Sequence, residues 1–269
     1  MITRFAPSPT GPLHLGHAYS ALTVWNAAQA AGGTFLLRIE DFDSTRARPE
    51  YEAQIYDDLS WLGLSWPTPR RQSDHISGYN MVLEVLSDQG LVFPCSCNRR
   101  TVLAAGLGSG PDGPIYPGTC ANRPISDAEP GDALRLNLTK AQDCLPSEII
   151  YVDTDQQKAL QIADLNSTIG APVLRRIETG DPAYHLTCSH DDALQGITDV
   201  IRGADVAPLT PIHIVLQNLM RWPSPRYHHH KLITDNHGKR LAKIDKSRSI
   251  ASYRANGATP ADVRTMVGL

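Results

Sequence analysis

Two periods of polarity alternate along this chain. Ile2–Phe5 is a short apolar run that enters a turn carrying Pro7, Pro9, Gly11 and Pro12. From Ala18 to Ala31 the chain is rich in Ala, Leu, Trp and Gln, has no internal Pro or Gly, and stops at Gly32 and Gly33. That composition predicts a helix with a glycine end, so a strand-to-helix junction falls at His14–His17. Residues 34–40 alternate and predict a buried strand. Residues 49–62, with Ile55, Leu59 and Leu62 in phase and Trp61 turned inward, predict a helix, as do residues 76–89, with Tyr79, Val82, Leu83 and Leu86 on one face. The Pro-rich stretch between them is a connector.

Further strands are predicted over residues 91–93, 133–138, 149–152, 159–162, 181–188, 197–203 and 227–233. Residues 210–221 predict a helix with a Thr-Pro entry, and residues 254–269 one more short helix. Helices interleaved with strands place the chain in the α/β class. Between Asn98 and Pro130 Gly, Pro, Ser and Asp dominate and the periodicity fades. An irregular segment of that length inside a domain calls for a pin. The division expected is a first half of the main domain (1–92), a strand-rich insertion (93–172), a second half (173–230), and a lysine loop with a helical segment (231–269).

At 269 residues the chain has room for one large or two modest domains, and 41% hydrophobic and 20% charged residues are ordinary for a soluble protein. No apolar run approaches the roughly 18 residues that span a bilayer, and no signal-peptide pattern opens the chain. A cytoplasmic protein without membrane contact is the expectation. A net charge of −3 gives no global attraction to nucleic acid. A nucleic-acid role would rest on local basic groups such as Arg221, Arg226, Lys231, Lys239, Arg240, Lys243, Lys246, Arg248 and Arg254.

Of the five cysteines, Cys95, Cys97 and Cys120 cluster in the irregular segment, which favours a metal over a disulfide. Cys144 and Cys188 read as ordinary buried thiols. Zinc takes four ligands, so a fourth donor would be Tyr116, Asp112 or water. Other candidate chemistry lies at element ends. The start of a helix attracts phosphate, Gly11 and Gly16 leave room for a nucleotide, and His14 and His17 can donate to a phosphoryl group. Glu40, Asp41 and Asp43 follow a strand, where α/β sheets bind ligands. Asp191 and Asp192 close one predicted strand and Arg202-Gly203 another. His228, His229 and His230 sit on a strand, so their side chains alternate in direction and cannot share one ion.

Taken together, Ala6-Pro-Ser-Pro-Thr-Gly-Pro-Leu-His-Leu-Gly-His17 closely resembles the ATP-binding motif of class I aminoacyl-tRNA synthetases of the glutamyl type. Leu37-Arg-Ile-Glu-Asp-Phe-Asp43 and the run from Tyr184 through Asp191-Asp192 to Arg202-Gly203 resemble further blocks of that family, although Cys188-Ser-His190 replaces the usual aliphatic residues. Lys239-Arg-Leu-Ala-Lys243 resembles its lysine motif, with Arg240 at the first lysine and Ala242 in place of serine. Cys95-x-Cys97 with Tyr116-x-x-x-Cys120 resembles the zinc site of the glutamyl-queuosine tRNA(Asp) branch, in which the tyrosine is the fourth ligand. The chain also stops within about one helix of the lysine motif, where a full glutamyl-tRNA synthetase continues into an anticodon-binding domain.

The resemblance implies a Rossmann-type class I catalytic domain with a zinc-containing insertion and a short C-terminal helical segment. It implies a ligase that activates L-glutamate with ATP and Mg2+ and transfers it to the queuosine of tRNA(Asp), with a monomer expected. His14, His17 and Lys243 would be catalytic. Gly11, His14, Gly16, His17, Arg240 and Lys243 would bind ATP, and Arg4, Ala6, Ser8, Glu40, Tyr184 and Arg202 would bind glutamate. Cys95, Cys97, Tyr116 and Cys120 would hold structural zinc. The alternatives are a minimal glutamyl-tRNA synthetase charging the tRNA 3′ end, a glutamate ligase with another acceptor, and a non-enzymatic tRNA-binding relic.

Overall fold

The computed structural model describes residues 1–177, 179–233 and 248–269. In chain order the elements begin with β1 (Ile2–Phe5), α1 (Leu15–Ala30), β2 (Thr34–Ile39), α2 (Pro49–Trp61), β3 (Arg70–Arg71), α3 (Ile76–Asp88) and β4 (Val92–Cys95). Then come α4 (Arg99–Ala104), β5 (Ser109–Gly110), β6 (Gly113–Pro114), β7 (Ala133–Leu136), α5 (Leu138–Cys144), β8 (Glu148–Asp153), β9 (Gln156–Gln161), α6 (Ile162–Thr168) and β10 (Val173–Arg175). The last are α7 (Tyr184–Leu194), β11 (Asp199–Gly203), α8 (Thr210–Leu219), β12 (Arg226–His230), α9 (Ile250–Ala255) and α10 (Pro260–Val267). By packing they form two compact units: Met1–Asp74 with Ile197–Ala207 and Pro225–Leu269, and His75–Gly196 with Pro208–Ser224.

The first unit is built on parallel strands. β1 pairs with β2 (Phe5 opposite Leu37), β2 with β3, and β11 with β12, all parallel. The Thr198 N–H donates to the Ile2 carbonyl at 2.9 Å and sets β11 beside β1. The lateral order is therefore β3-β2-β1-β11-β12, the doubly wound arrangement in which ligands bind beyond the carboxyl ends of the central strands. Those strands are covered on both sides, as parallel sheets require: Thr3, Arg4, Phe5, Leu37, Arg38 and Ile39 are all buried. α1 lies on the sheet and against α10; small residues such as Ala18, Ala21 and Ala28 are fully buried and let it approach closely. α10 starts on a Thr259–Asp262 capping box and ends at left-handed Gly268.

In the second unit β4, β7 and β10 form an antiparallel sheet. β8 and β9 form a hairpin that turns on Thr154 and Asp155, both in the left-handed region at φ 52° and 61°, as a type I′ turn demands. α7 packs on α8.

Four expectations change. Residues 181–188 read as a strand, but Tyr184–Leu194 is a helix. Its buried positions include His185, Thr187, Ser189, Asp191 and Asp192, so burial nearly all round erases the helical stripe and leaves a false alternation. Asp191 and Asp192 accordingly lie within a helix and not at a strand end. The strand expected over 133–138 stops at Leu136, because the Asn137 side chain accepts the Lys140 N–H and starts α5. The single C-terminal helix is two, α9 and α10. Cys144 is exposed at the end of α5, whereas Cys188 is buried as expected. No helix among the described residues is long and apolar enough to cross a membrane.

Candidate active site and metal centre

The turn after β1 delivers His14 as the N-cap of α1. His14 Nδ1 accepts the Gly16 N–H at 3.1 Å, and His17 Nδ1 accepts the His14 N–H at 3.2 Å. An imidazole nitrogen that accepts carries no proton, so both rings are neutral and bear their hydrogen on Nε2. Burial lowers the pKa of His14, and burial with the neighbouring His14 ring takes His17 down to about 3. The rings stack at 3.8 Å between centroids. The helix start thus presents two stacked, uncharged imidazoles, each with an Nε2–H donor.

This refines the reading of the glycines. A Cβ at Gly16 would stand 3.0 Å from His14 Cε1, so the glycine makes room for the histidine ring; at Gly11 a Cβ would meet open space. The Gly16 N–H, one of the donors a helix start offers to phosphate, is taken by His14.

His14, Gly16 and His17 line a cleft of about 280 Å³ with Ser20, Gly203, Asp205, His230, Leu232 and Ile233. Sequence reasoning missed Ser20, Asp205 and His230. The one available signal was strand direction: Gly203 and His230 pair at the same ends of β11 and β12. The three consecutive histidines have three different partners. His228 faces Asp199 at 3.1 Å, His229 Nε2 accepts from Arg202 Nε at 3.3 Å, and His230 meets Ser20 Oγ at 3.1 Å.

The predicted glutamate residues Arg4, Ala6, Ser8, Glu40 and Arg202 all belong to this first unit, along or just beyond the carboxyl halves of β1, β2 and β11. Arg4 and Arg202 are buried and Ser8 is exposed. The Glu40 N–H donates to the Pro7 carbonyl at 3.0 Å, which ties the two strand ends together. Arg38, fully buried, lies 3.5 Å from the Glu40 carboxylate, a partner not foreseen from sequence. Asp41 is structural: it accepts Ser73 N–H and Oγ–H at 2.9 and 2.6 Å and pairs with Arg71. Asp43 binds Thr45 and Arg46 of its own turn. Tyr184 belongs to the second unit, and Arg240 and Lys243 lie outside the described residues.

In the second unit the Sγ atoms of Cys95, Cys97 and Cys120 all lie within 4.8 Å of one another. Cys97 and Cys120 are 3.7 Å apart, close to the roughly 3.8 Å between thiolates that share a tetrahedral zinc. Tyr116 Oη accepts the Cys120 N–H at 2.7 Å and lies 3.4 Å from Cys95 Sγ. Of the three possible fourth donors, Asp112 is engaged elsewhere, 2.9 Å from His185 Nε2. The cluster is compatible with zinc, and Tyr116 is the protein oxygen beside it.

The family described as tRNA synthetases class I (E and Q), catalytic domain, matches residues 1–104 and 135–269. A glutamyl-Q tRNA(Asp) synthetase of Rhodobacter capsulatus is 48% identical, with 100% of both chains covered. The chain belongs to the glutamyl-Q tRNA(Asp) synthetase family. A member from Nitratidesulfovibrio vulgaris is 39% identical over 97% of this chain and 83% of its own length. Among solved structures, the glutamate-tRNA synthetase of Elizabethkingia anophelis superposes with a TM-score of 0.80 at 25% identity. That match covers 100% of this chain and 61% of the Elizabethkingia chain, so this family member spans about three-fifths of that enzyme. The class I catalytic fold expected from the motifs is therefore present.

Proposed function

We propose that this chain activates L-glutamate with ATP and transfers the glutamyl group to queuosine at the wobble position of tRNA(Asp). The observation that carries this reading is full-length kinship with enzymes of that name, on a fold that presents the His14–His17 donor pair at a helix start. The glutamate carboxylate attacks the α-phosphorus, pyrophosphate leaves, and glutamyl-adenylate forms. A queuosine hydroxyl then attacks the acyl carbon, loses its proton, and AMP leaves.

The first step needs alignment and charge stabilisation more than covalent help from the protein. His14 and His17 supply neutral Nε2–H donors to the phosphates, with Gly11, Gly16, Arg240 and Lys243 completing the ATP site and Mg2+ accompanying ATP. Arg4 and Arg202 meet substrate carboxylates, since guanidinium and carboxylate pair as a fork. Glu40, braced by Arg38, holds the ammonium, Ala6 and Ser8 shape the pocket, and the family resemblance adds Tyr184 as a glutamate contact. Cys95, Cys97, Cys120 and Tyr116 would hold zinc, which when bound would cross-link the irregular part of the insertion (93–172) and do no chemistry on substrate. The enzyme acts in the cytoplasm as a monomer.

Transfer of labelled glutamate to tRNA(Asp) with and without queuosine tests the proposal. Label confined to the queuosine-containing tRNA supports it. Label on both, dependent on an intact 3′ terminus, would make this a minimal glutamyl-tRNA synthetase; pyrophosphate exchange without label on either would point to another acceptor. In the same exchange assay, Arg202→Ala is expected to raise the glutamate KM strongly and leave the ATP KM nearly unchanged. Equal loss of both would make Arg202 structural.

A further inference from the structure

In the second unit a polar chain of Asp112, His185 and His213, its two histidines buried, has no part in the proposed chemistry. His185 on α7 and His213 on α8 are 4% and 1% exposed, and buried imidazoles require partners. His185 Nδ1 lies 3.2 Å from His213 Nε2, and His185 Nε2 lies 2.9 Å from Asp112 Oδ1. Asp112 is in the two-residue turn of the β5–β6 hairpin, where Gly110 pairs with Gly113.

That hairpin is held firmly. A Cβ at Gly110 would overlap the Thr168 carbonyl oxygen at the end of α6. Immediately after the hairpin, Tyr116 is pressed on Gly170, where a Cβ would come within 2.8 Å of its backbone nitrogen. The carboxylate of Asp112 is therefore delivered by backbone packing on both sides, and not by a loose loop.

The other end of the chain is Tyr184. Its ring meets both imidazoles edge-on, with centroids 5.5 Å from His185 at 62° and 5.5 Å from His213 at 61°. The two imidazoles themselves are 5.3 Å apart. Aliphatic side chains would hold α7 on α8 without the desolvation that two imidazoles and a carboxylate incur. What directional hydrogen bonds add, and apolar packing does not, is a single orientation of each ring.

We propose that Asp112, His185 and His213 are positioning residues that hold the Tyr184 ring in one orientation for the amino-acid substrate. This rests on the reading of Tyr184 as a glutamate contact. The hydrogen bond to a rigidly placed carboxylate fixes the His185 ring, His185 fixes His213, and the two ring edges leave Tyr184 one rotamer.

The test is pyrophosphate exchange by the full chain, with KM for glutamate and for ATP measured separately, alongside thermal unfolding. Asp112 is 30% exposed at a hairpin tip, so its variants fold even where a change at buried His185 does not. Asp112→Ala is expected to raise the glutamate KM about tenfold, the effect of losing one hydrogen bond to a charged group, with ATP KM and kcat unchanged. Asp112→Asn keeps an acceptor for His185 Nε2–H and is expected to restore the glutamate KM. An unchanged glutamate KM in Asp112→Ala, a matching rise in ATP KM, or no rescue by Asn would overturn the proposal. Tyr184→Ala run in parallel separates the two readings. If it raises the glutamate KM while Asp112→Ala does not, only the positioning chain fails; if it too leaves that KM unchanged, the glutamate-site reading of Tyr184 fails, and the proposal with it.

Discussion

His17 Nδ1 accepts the backbone N–H of His14, while the His14 ring turns back to accept from Gly16, so each histidine holds the helix start that the other begins. The pair is a capping box written in imidazoles. Its consequence is a fixed tautomer at both rings, with Nε2–H directed away from the backbone.

In nitrogen-15 NMR at pH 7, both side chains are expected to report protonated Nε2 and bare Nδ1; a protonated Nδ1 on either would contradict the assignment. Linkage adds a second check. Burial, reinforced by His14, sets His17 at about 3 in the folded protein against an ordinary 6.5, so the unfolded chain takes up a proton that the folded chain refuses. Stability from this group is complete above pH 6.5 and declines as pH falls toward 3. His17→Gln should therefore unfold with a flatter pH dependence across that window.

Gly16→Ala is expected to separate stability from activity. Alanine is favoured over glycine within a helix by about 1 kcal/mol, which offsets the roughly 1 kcal/mol lost with the displaced His14 cap, so Tm should stay close to that of the parent. The new Cβ, 3.0 Å from His14 Cε1, displaces the ring, and pyrophosphate exchange should fall by about tenfold or more. Full activity in a well-folded Gly16→Ala variant would remove His14 from the phosphate site.

Asp58 on α2 is fully buried, and neither carboxylate oxygen has a hydrogen-bond partner among the described residues. Burial, with Asp57 adding to it, raises its pKa from 3.8 to about 6, against a pull downward from Arg254. A raised acid pKa means the folded state is penalised once pH exceeds it and is free of penalty below 3.8. Asp58→Asn should stabilise the protein at pH 8, on the order of 2 kcal/mol, with the gain shrinking as pH falls through 6 to 4. A gain independent of pH in urea titrations would show that the carboxylate charge is not its source.

Metal analysis of the purified protein is expected to find about one zinc per chain, lost in Cys120→Ser together with several degrees of Tm. Zinc retained at full occupancy in that variant would move the site elsewhere.

Much of the candidate site was legible because its chemistry is local. His14, Gly16 and His17 act on one another within a single turn, and a helix start is visible in composition alone. Glu40 was readable as a strand-end carboxylate, but Arg38 beneath it was not, because a charged residue on a buried strand is recognisable as a partner only once pairing is known. Asp41 shows the reverse. It looked like ligand chemistry and proves to hold Ser73 and Arg71.

The sequence by itself determined the α/β alternation, the helix start at His14, the Cys95–Cys97–Cys120 cluster and the family, since each depends on residue types at short spacing or on long identity. Tertiary structure alone decided that Tyr184–Leu194 is helical, that Asp112 meets His185 across 73 positions and that His230 joins the cleft of His14. The physical reason is the same in each case. A buried polar side chain is tolerated only where a distant element supplies its partner, and periodicity along the chain carries no record of that partner.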